Sequence, residues 1–211
     1  MKRVILFGAP GAGKGTQAEI IRSKYGFIKI STGDLIRNEV KSESEIGLKV
    51  KSIIEKGELV SDDIMIEMVK KRLEIGDVKE GYILDGYPRT IAQAKALEQI
   101  PVDKELVFYM KVGDPAKVVG RVVTRLTCTH CGATFSLLTR LPQVDGICDR
   151  CQGDLVKRSD DQENTIRQRI HIYRRETKPV IDYYRRMGVL IEIDASAEIE
   201  TVSGVIGGFL K

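Results

Sequence analysis

The sequence predicts an α/β fold: a parallel sheet covered by helices on both faces and interrupted by two inserts. Three observations carry that reading. Short apolar runs at 4–7, 27–30, 81–85, 105–112 and 189–193 alternate with segments of helical period, the pattern of a sheet buried on both sides. The first run leads into a glycine-rich loop that opens a helix, an arrangement suited to phosphate. The alternation then breaks twice, once into a stretch that is only helical and once into a cysteine-bearing stretch without helical period.

Residues 4–7 form the first strand and 17–22 belong to the first helix. Between them runs Gly8-Ala9-Pro10-Gly11-Ala12-Gly13-Lys14-Gly15-Thr16. Its glycines bring backbone N–H groups close to a ligand, the helix N-terminus adds partial positive charge, and Lys14 adds a full one. This is the P-loop pattern of two glycines five apart followed by lysine. It departs at Gly15, where Ser or Thr usually follows, and the hydroxyl comes at Thr16.

The second strand, 27–30, ends in Ser31-Thr32-Gly33-Asp34, which is turn and capping chemistry. Helices follow over 35–41 and 44–56, the latter closed by Gly57. Ser61-Asp62-Asp63 caps a further helix with Ile64, Met68, Val69 and Leu73 as its apolar stripe. The strand at 81–85 ends in Asp85-Gly86-Tyr87-Pro88-Arg89. A carboxylate at the C-terminal end of such a strand, beside a P-loop, can reach magnesium, often through water, so Asp85 is the candidate. Arg89 opens a helix over 90–99 at the same sheet edge. After the strand at 105–112, Asp114-Pro115 signals a helix start. On that helix Arg121 and Arg125, four apart, would share one face and hold a polyphosphate.

From 126 to 157 the helical period disappears. Cys128 and Cys131, then Cys148 and Cys151, form two C-x-x-C pairs with sixteen residues between them, the spacing of a four-thiolate structural metal site. Zinc is the first reading, with iron the other metal open. All four positions are filled by protein, so the metal should staple a segment too small to build its own core. His130, between two ligands, should be exposed. A long helix follows with Ile166, Ile170, Tyr173, Thr177, Val180 or Ile181, and Tyr184 on one face, and Pro179 should kink it. Arg167 and Arg169 project to opposite sides, so only one should join a site with Arg158. The strand at 189–193 and a helix over 199–210 close the chain.

Composition excludes several classes. The 211 residues are 42% hydrophobic, enough for a sizeable core. No apolar run approaches the roughly 20 residues needed to cross a bilayer. Met1-Lys2-Arg3 leads into a strand instead of a signal-peptide core, which predicts a cytoplasmic protein with no membrane partner. A net charge of +4 is too weak to argue for nucleic acid. The cysteine segment has Arg140, Arg150, Lys157 and Phe135 against Asp145, Asp149 and Asp154, which argues against a nucleic-acid-binding ribbon on a P-loop ATPase.

Taken together, the residues at 8–16, Ser-Thr-Gly-Asp-Leu-Ile-Arg at 31–37, Asp-Gly-Tyr-Pro-Arg-Thr at 85–90 and Arg-Ser-Asp-Asp at 158–161 resemble the adenylate kinase family, in its form with a long zinc-bearing lid. The resemblance spans the chain. It implies a core of 1–30, 61–123 and 162–211, a nucleoside monophosphate-binding insert of 31–60 and a zinc-containing lid insert of 124–161. It implies reversible transfer between Mg-ATP and AMP giving two ADP, and a fold able to enclose its own site predicts a monomer.

By the same resemblance Gly11, Ala12, Gly13, Lys14, Gly15 and Thr16 would bind the ATP phosphates, with Arg121 against the adenine and Thr134 and Phe135 also touching ATP. Thr32, Arg37, Glu58, Leu59, Val60, Gly86, Tyr87, Pro88, Arg89 and Gln93 would hold AMP, the Gln93 amide reading adenine. Arg125, Arg158 and Arg169 would gather around the transferring group, with Lys14 and Arg89 completing the catalytic set; Arg158 and Arg169 would also touch AMP. The closest rival within the class is a pyrimidine monophosphate kinase, which Thr32 and Gln93 disfavour.

Overall fold

The computed structural model describes residues 1–113 and 118–210. Five parallel strands form the central sheet in the order β2-β3-β1-β4-β8: β1 (Lys2–Phe7), β2 (Ile28–Ser31), β3 (Gly81–Asp85), β4 (Lys104–Lys111) and β8 (Leu190–Asp194). Alternate side chains feed two cores. Val4 and Leu6 pack with Ile83 and Phe108 against α1 (Lys14–Tyr25) and α9 (Ile199–Leu210). Ile5 and Phe7 face the other way, with Tyr82, Leu84 and Val107, beneath α4 (Asp62–Glu74), α5 (Ile91–Glu98) and α8 (Lys178–Arg186). The continuous apolar strands read from the sequence are therefore buried on both faces.

Both inserts leave the C-terminal edge of this sheet. The first contains α2 (Thr32–Lys41) and α3 (Glu45–Glu55). Ser31 and Ser44 cap them, each accepting from the backbone N–H three residues on, at 3.2 and 2.9 Å. The second is a three-stranded antiparallel sheet in the order β6-β5-β7, with β5 (Arg125–Cys128), β6 (Thr134–Ser136) and β7 (Leu155–Val156).

Two local expectations need correction. The helix thought to carry both Arg121 and Arg125 is short: α6 (Val119–Val123) ends with Thr124 as C-cap, and Arg125 starts β5. Pairing of Arg125–Cys128 with strands far along the chain overrides the helical spacing. The expected start at Asp114-Pro115 lies outside the described residues. The long helix is interrupted where Pro179 predicted a kink, but the device is a π turn at Tyr173–Thr177 between α7 (Glu163–Ile172) and α8. Lys178 N–H donates to Tyr173 O, five residues back. A wider turn before the proline lets the helix continue without the N–H that Pro179 lacks. The face from Ile166 to Tyr184 is buried throughout, as its period predicts. Among the described residues no helix is long and apolar enough to cross a membrane.

Candidate active site

A cleft of about 540 Å³ opens at the C-terminal edge of the sheet, and the predicted site residues other than the cysteines line it. β1 delivers the loop that forms its floor. Gly11 and Gly13 adopt φ of +82° and +87°, which favours glycine, and α1 begins at Lys14. The Lys14 ammonium folds back on its own loop, donating to the carbonyls of Gly8 at 2.8 Å and Ala9 at 3.0 Å. Burial lowers its pKa to about 8. Asp85 opposes that fall, and Arg89, Arg169 and Arg125 add to it.

Asp85 ends β3 in register with Leu6 of β1 and Ser31 of β2. Its Oδ2 lies 3.4 Å from where a Cβ on Gly15 would stand. The departure from the usual P-loop pattern thus leaves the loop backbone open directly beside this carboxylate. Asp85 offers a carboxylate oxygen to the cleft, and Thr16 also lines it; hard oxygen donors of this kind fit magnesium.

The second wall comes from α2, the 58–60 chain and the turn after β3. Thr32 is buried and donates to Gly86 O at 2.9 Å. Gly86 has φ +83°, and a Cβ there would come 2.9 Å from Arg89 Nη2. Arg89 Nε donates to the same Gly86 carbonyl at 2.8 Å, so this glycine lets the guanidinium fold against the turn. Arg37 is held by Asp34. Burial and the nearby Arg158 pull the Arg37 pKa below its ordinary value. Glu58, Leu59, Val60, Tyr87 and Pro88 complete this wall, and the largely buried Gln93 lines it with them.

The third wall depends on Asp160 and Asp161, which the sequence reading named only as part of the insert's exit. Asp160 accepts from Arg158 Nε at 3.0 Å and Nη2 at 2.8 Å, and from Arg169 Nη1 at 3.0 Å. Burial alone would raise its pKa, but Arg158, Arg169 and Arg37 hold it well below the usual carboxylate range. Asp161, with no solvent exposure, takes Arg125 bidentately at 2.8 and 2.5 Å. Arg169 is itself lowered to about 10, by burial and then by neighbouring arginines, despite Asp160. The sequence held a usable signal: two adjacent carboxylates between Arg158 and a helix bearing Arg169 must meet cations if buried. Arg167 pairs instead with Glu163 at the surface, 2.7 Å away, as its spacing from Arg169 predicted.

Arg121 and Arg125 reach the cleft from different elements, α6 and β5. Thr134 lines it from β6. Phe135 is 3% exposed and belongs chiefly to the insert's own small core, with the Arg140 guanidinium over its ring at 5.1 Å. Residues the sequence reading missed include Gln17, which donates to Ile199 O at 3.0 Å, and Ser196 of the turn before α9. No motif marks them, because their place in the wall comes from the α1–α9 packing.

The four cysteine sulfurs lie within 4.8 Å of one another. Cys128 and Cys151 approach to 3.4 Å and Cys131 and Cys148 to 3.6 Å. A tetrahedron with metal–sulfur bonds of about 2.3 Å has sulfur–sulfur edges of about 3.8 Å, so the group fits a tetrahedral thiolate metal. None of the four is joined in a disulfide, so all four sulfurs are available to a metal. His130 is exposed, as expected.

A P-loop at the edge of a parallel sheet, faced by a crowd of arginines from separate segments, defines a P-loop phosphotransferase. The adenylate kinase family model matches residues 6–189. An adenylate kinase of Archaeoglobus fulgidus is 45% identical over 99% of this chain and 97% of its own length. Adenylate kinases of Caldicellulosiruptor saccharolyticus and Kosmotoga olearia are 46% and 47% identical, over 93% and 95% of this chain and 93% and 94% of their own. The chain belongs to the adenylate kinase family and is a nucleoside monophosphate kinase.

Proposed function

We propose that this chain transfers a phosphoryl group reversibly from Mg-ATP to AMP, giving two ADP. The observation that carries the reading is the convergence of Lys14, Arg37, Arg89, Arg121, Arg125, Arg158 and Arg169 from separate segments on one cleft. The P-loop from Gly11 to Thr16 grips the ATP phosphates, Lys14 leaving its loop carbonyls for them. Arg121 flanks the donor adenine, with Thr134 and the Phe135 backbone on the lid side. Thr32, Arg37, Glu58 to Val60, Gly86 to Arg89 and Gln93 hold AMP.

Arg125, Arg158 and Arg169, fixed in direction by Asp160 and Asp161, neutralise charge on the transferring group. The AMP phosphate oxygen that attacks is already ionised at neutral pH, so no side chain need remove a proton. Magnesium bound beside Asp85, through water, would supply further charge neutralisation on the ATP phosphates. The 31–60 insert closes over AMP and the 124–161 insert over ATP, excluding water that would otherwise accept the phosphoryl group. Cys128, Cys131, Cys148 and Cys151 hold a structural zinc that stiffens the lid without entering the reaction. One chain supplies every residue of the cleft, which supports a monomer, and cysteines committed to a metal instead of disulfides suit the cytoplasm.

The test is ADP formation from ATP with AMP, UMP, CMP or buffer as acceptor. Rapid ADP production with AMP alone, two molecules per ATP consumed, is expected. Equal production without acceptor would replace this reading with an ATPase, and a preference for UMP or CMP would move it to pyrimidine monophosphates.

A further inference from the structure

Gln93 is 2% exposed, and both ends of its amide are committed within the protein. Nε2 donates to Asp62 Oδ1 at 2.8 Å, and Oε1 accepts from the Arg89 backbone N–H at 2.8 Å. Asp62 Oδ1 also accepts from Thr90 Oγ1 at 2.9 Å, so its carboxylate is itself clamped. Asp62 begins α4 and Thr90 caps α5; Asp62 does not line the cleft. A free glutamine amide can turn over and exchange its donor and acceptor ends. This one has a group that only accepts at one end and a group that only donates at the other. Turning it over would set oxygen against carboxylate and N–H against N–H, leaving buried polar groups unpaired on both sides.

Each amide atom still has capacity to spare, one N–H on Nε2 and one lone pair on Oε1. Their order is fixed by the lock. A purine with a 6-amino group offers an acceptor at N1 and a donor at the 6-position, whereas a 6-oxo purine offers the reverse. We infer that Asp62 is a positioning residue for acceptor specificity: by holding the Gln93 amide in one orientation, it makes the site accept a 6-amino purine monophosphate and reject a 6-oxo one. The inference rests on the reading above that Gln93 faces the acceptor base. Asp62 touches neither substrate.

The experiment compares kcat/KM for AMP and for IMP, with ATP as donor and the nucleotide products separated by chromatography. In Asp62→Asn the side chain can donate as well as accept, so one half of the lock is lost. In Asp62→Ser a hydroxyl does the same while keeping a residue suited to a helix start. In both, the AMP-to-IMP ratio is expected to fall by about tenfold or more relative to wild type. The ratio is taken within one preparation, so a loss of folded protein does not move it. In a Gln93→Leu background, adding Asp62→Asn should change the ratio less than about twofold. A ratio unchanged in both Asp62 variants, or a change that persists without Gln93, overturns the inference while leaving the AMP kinase reading intact. A wild-type protein that does not phosphorylate AMP overturns both.

Discussion

The Lys14 ammonium is where the cleft shows its imbalance of charge, and its removal gives a quantitative test. Its pKa in the folded protein is about 8 against an ordinary 10.5. That gap corresponds to at most about 3 kcal/mol, less whatever the partial opening of the cleft to water screens. At pH values below 8, Lys14 is protonated in both folded and unfolded chains and the penalty is present in full. Between 8 and 10.5 the folded chain releases its proton first, and above 10.5 the penalty is gone. In Lys14→Met no such titration exists. Urea unfolding of both proteins at intervals from pH 7 to 10.5 should show the wild type gaining on the variant by about 2–3 kcal/mol across that window. The two hydrogen bonds from Nζ to Gly8 and Ala9 set the offset between the curves and not its slope with pH. A difference constant to within about 0.5 kcal/mol would refute the claim that burial and the neighbouring arginines discharge this lysine. On the proposed function, ATP binding near pH 8 should also draw a proton onto Lys14, read by calorimetry in buffers of different ionisation enthalpy and absent in Lys14→Met.

Asp161→Ala removes a fully buried carboxylate and leaves Arg125 without its bidentate partner; a stability loss of about 3–5 kcal/mol is expected by urea unfolding, and a loss below about 1 kcal/mol would show the pair to be dispensable. Cys148→Ser should abolish stoichiometric metal by elemental analysis and open residues 124–161 to protease while the parallel sheet keeps its protection; retained metal would contradict the four-thiolate assignment. Arg89→Ala should lower turnover by several orders of magnitude with an unchanged melting temperature, since the guanidinium makes one hydrogen bond, to Gly86 O, and no ion pair among the described residues; near-wild-type turnover would remove it from the catalytic set.

What could be read from the sequence followed from local rules. The P-loop glycines, the Ser31 and Ser44 caps and the paired cysteines each act over a few residues, and each folds as its spacing requires. The strands were legible because burial on both faces demands unbroken apolar runs. Where a residue's role is settled by a partner far away, local spacing misled or stayed silent. Arg121 and Arg125 look helical at four apart, yet β5 exists only because Thr134–Ser136 and Leu155–Val156 pair with it. Asp62 reads as a helix-start residue, and its bond to Gln93 spans 31 positions. Asp160 and Asp161 read as polar exit residues, although one is 6% exposed and the other fully buried among arginines.

Those two aspartates explain how so cationic a cleft can preassemble. Arginines gathered without counter-charge would repel and splay into solvent, and the site would have to be rebuilt at each turnover. Asp160 and Asp161 hold Arg125 and Arg158 by their Nε and Nη2 edges and Arg169 by Nη1, so the guanidinium positions are set before any phosphate arrives. The compensation stops short. Lys14, Arg37, Arg89 and Arg169 all keep pKa values below their ordinary ones, each chiefly from burial and then from neighbouring cations. The folded protein therefore carries buried, incompletely compensated positive charge that a polyanion in the cleft would relieve. On the proposed function, that relief is largest when cations from both inserts and the core surround the same phosphates, so binding energy would be directed into closure. Full neutralisation by further carboxylates would give a more stable protein and a poorer phosphotransferase.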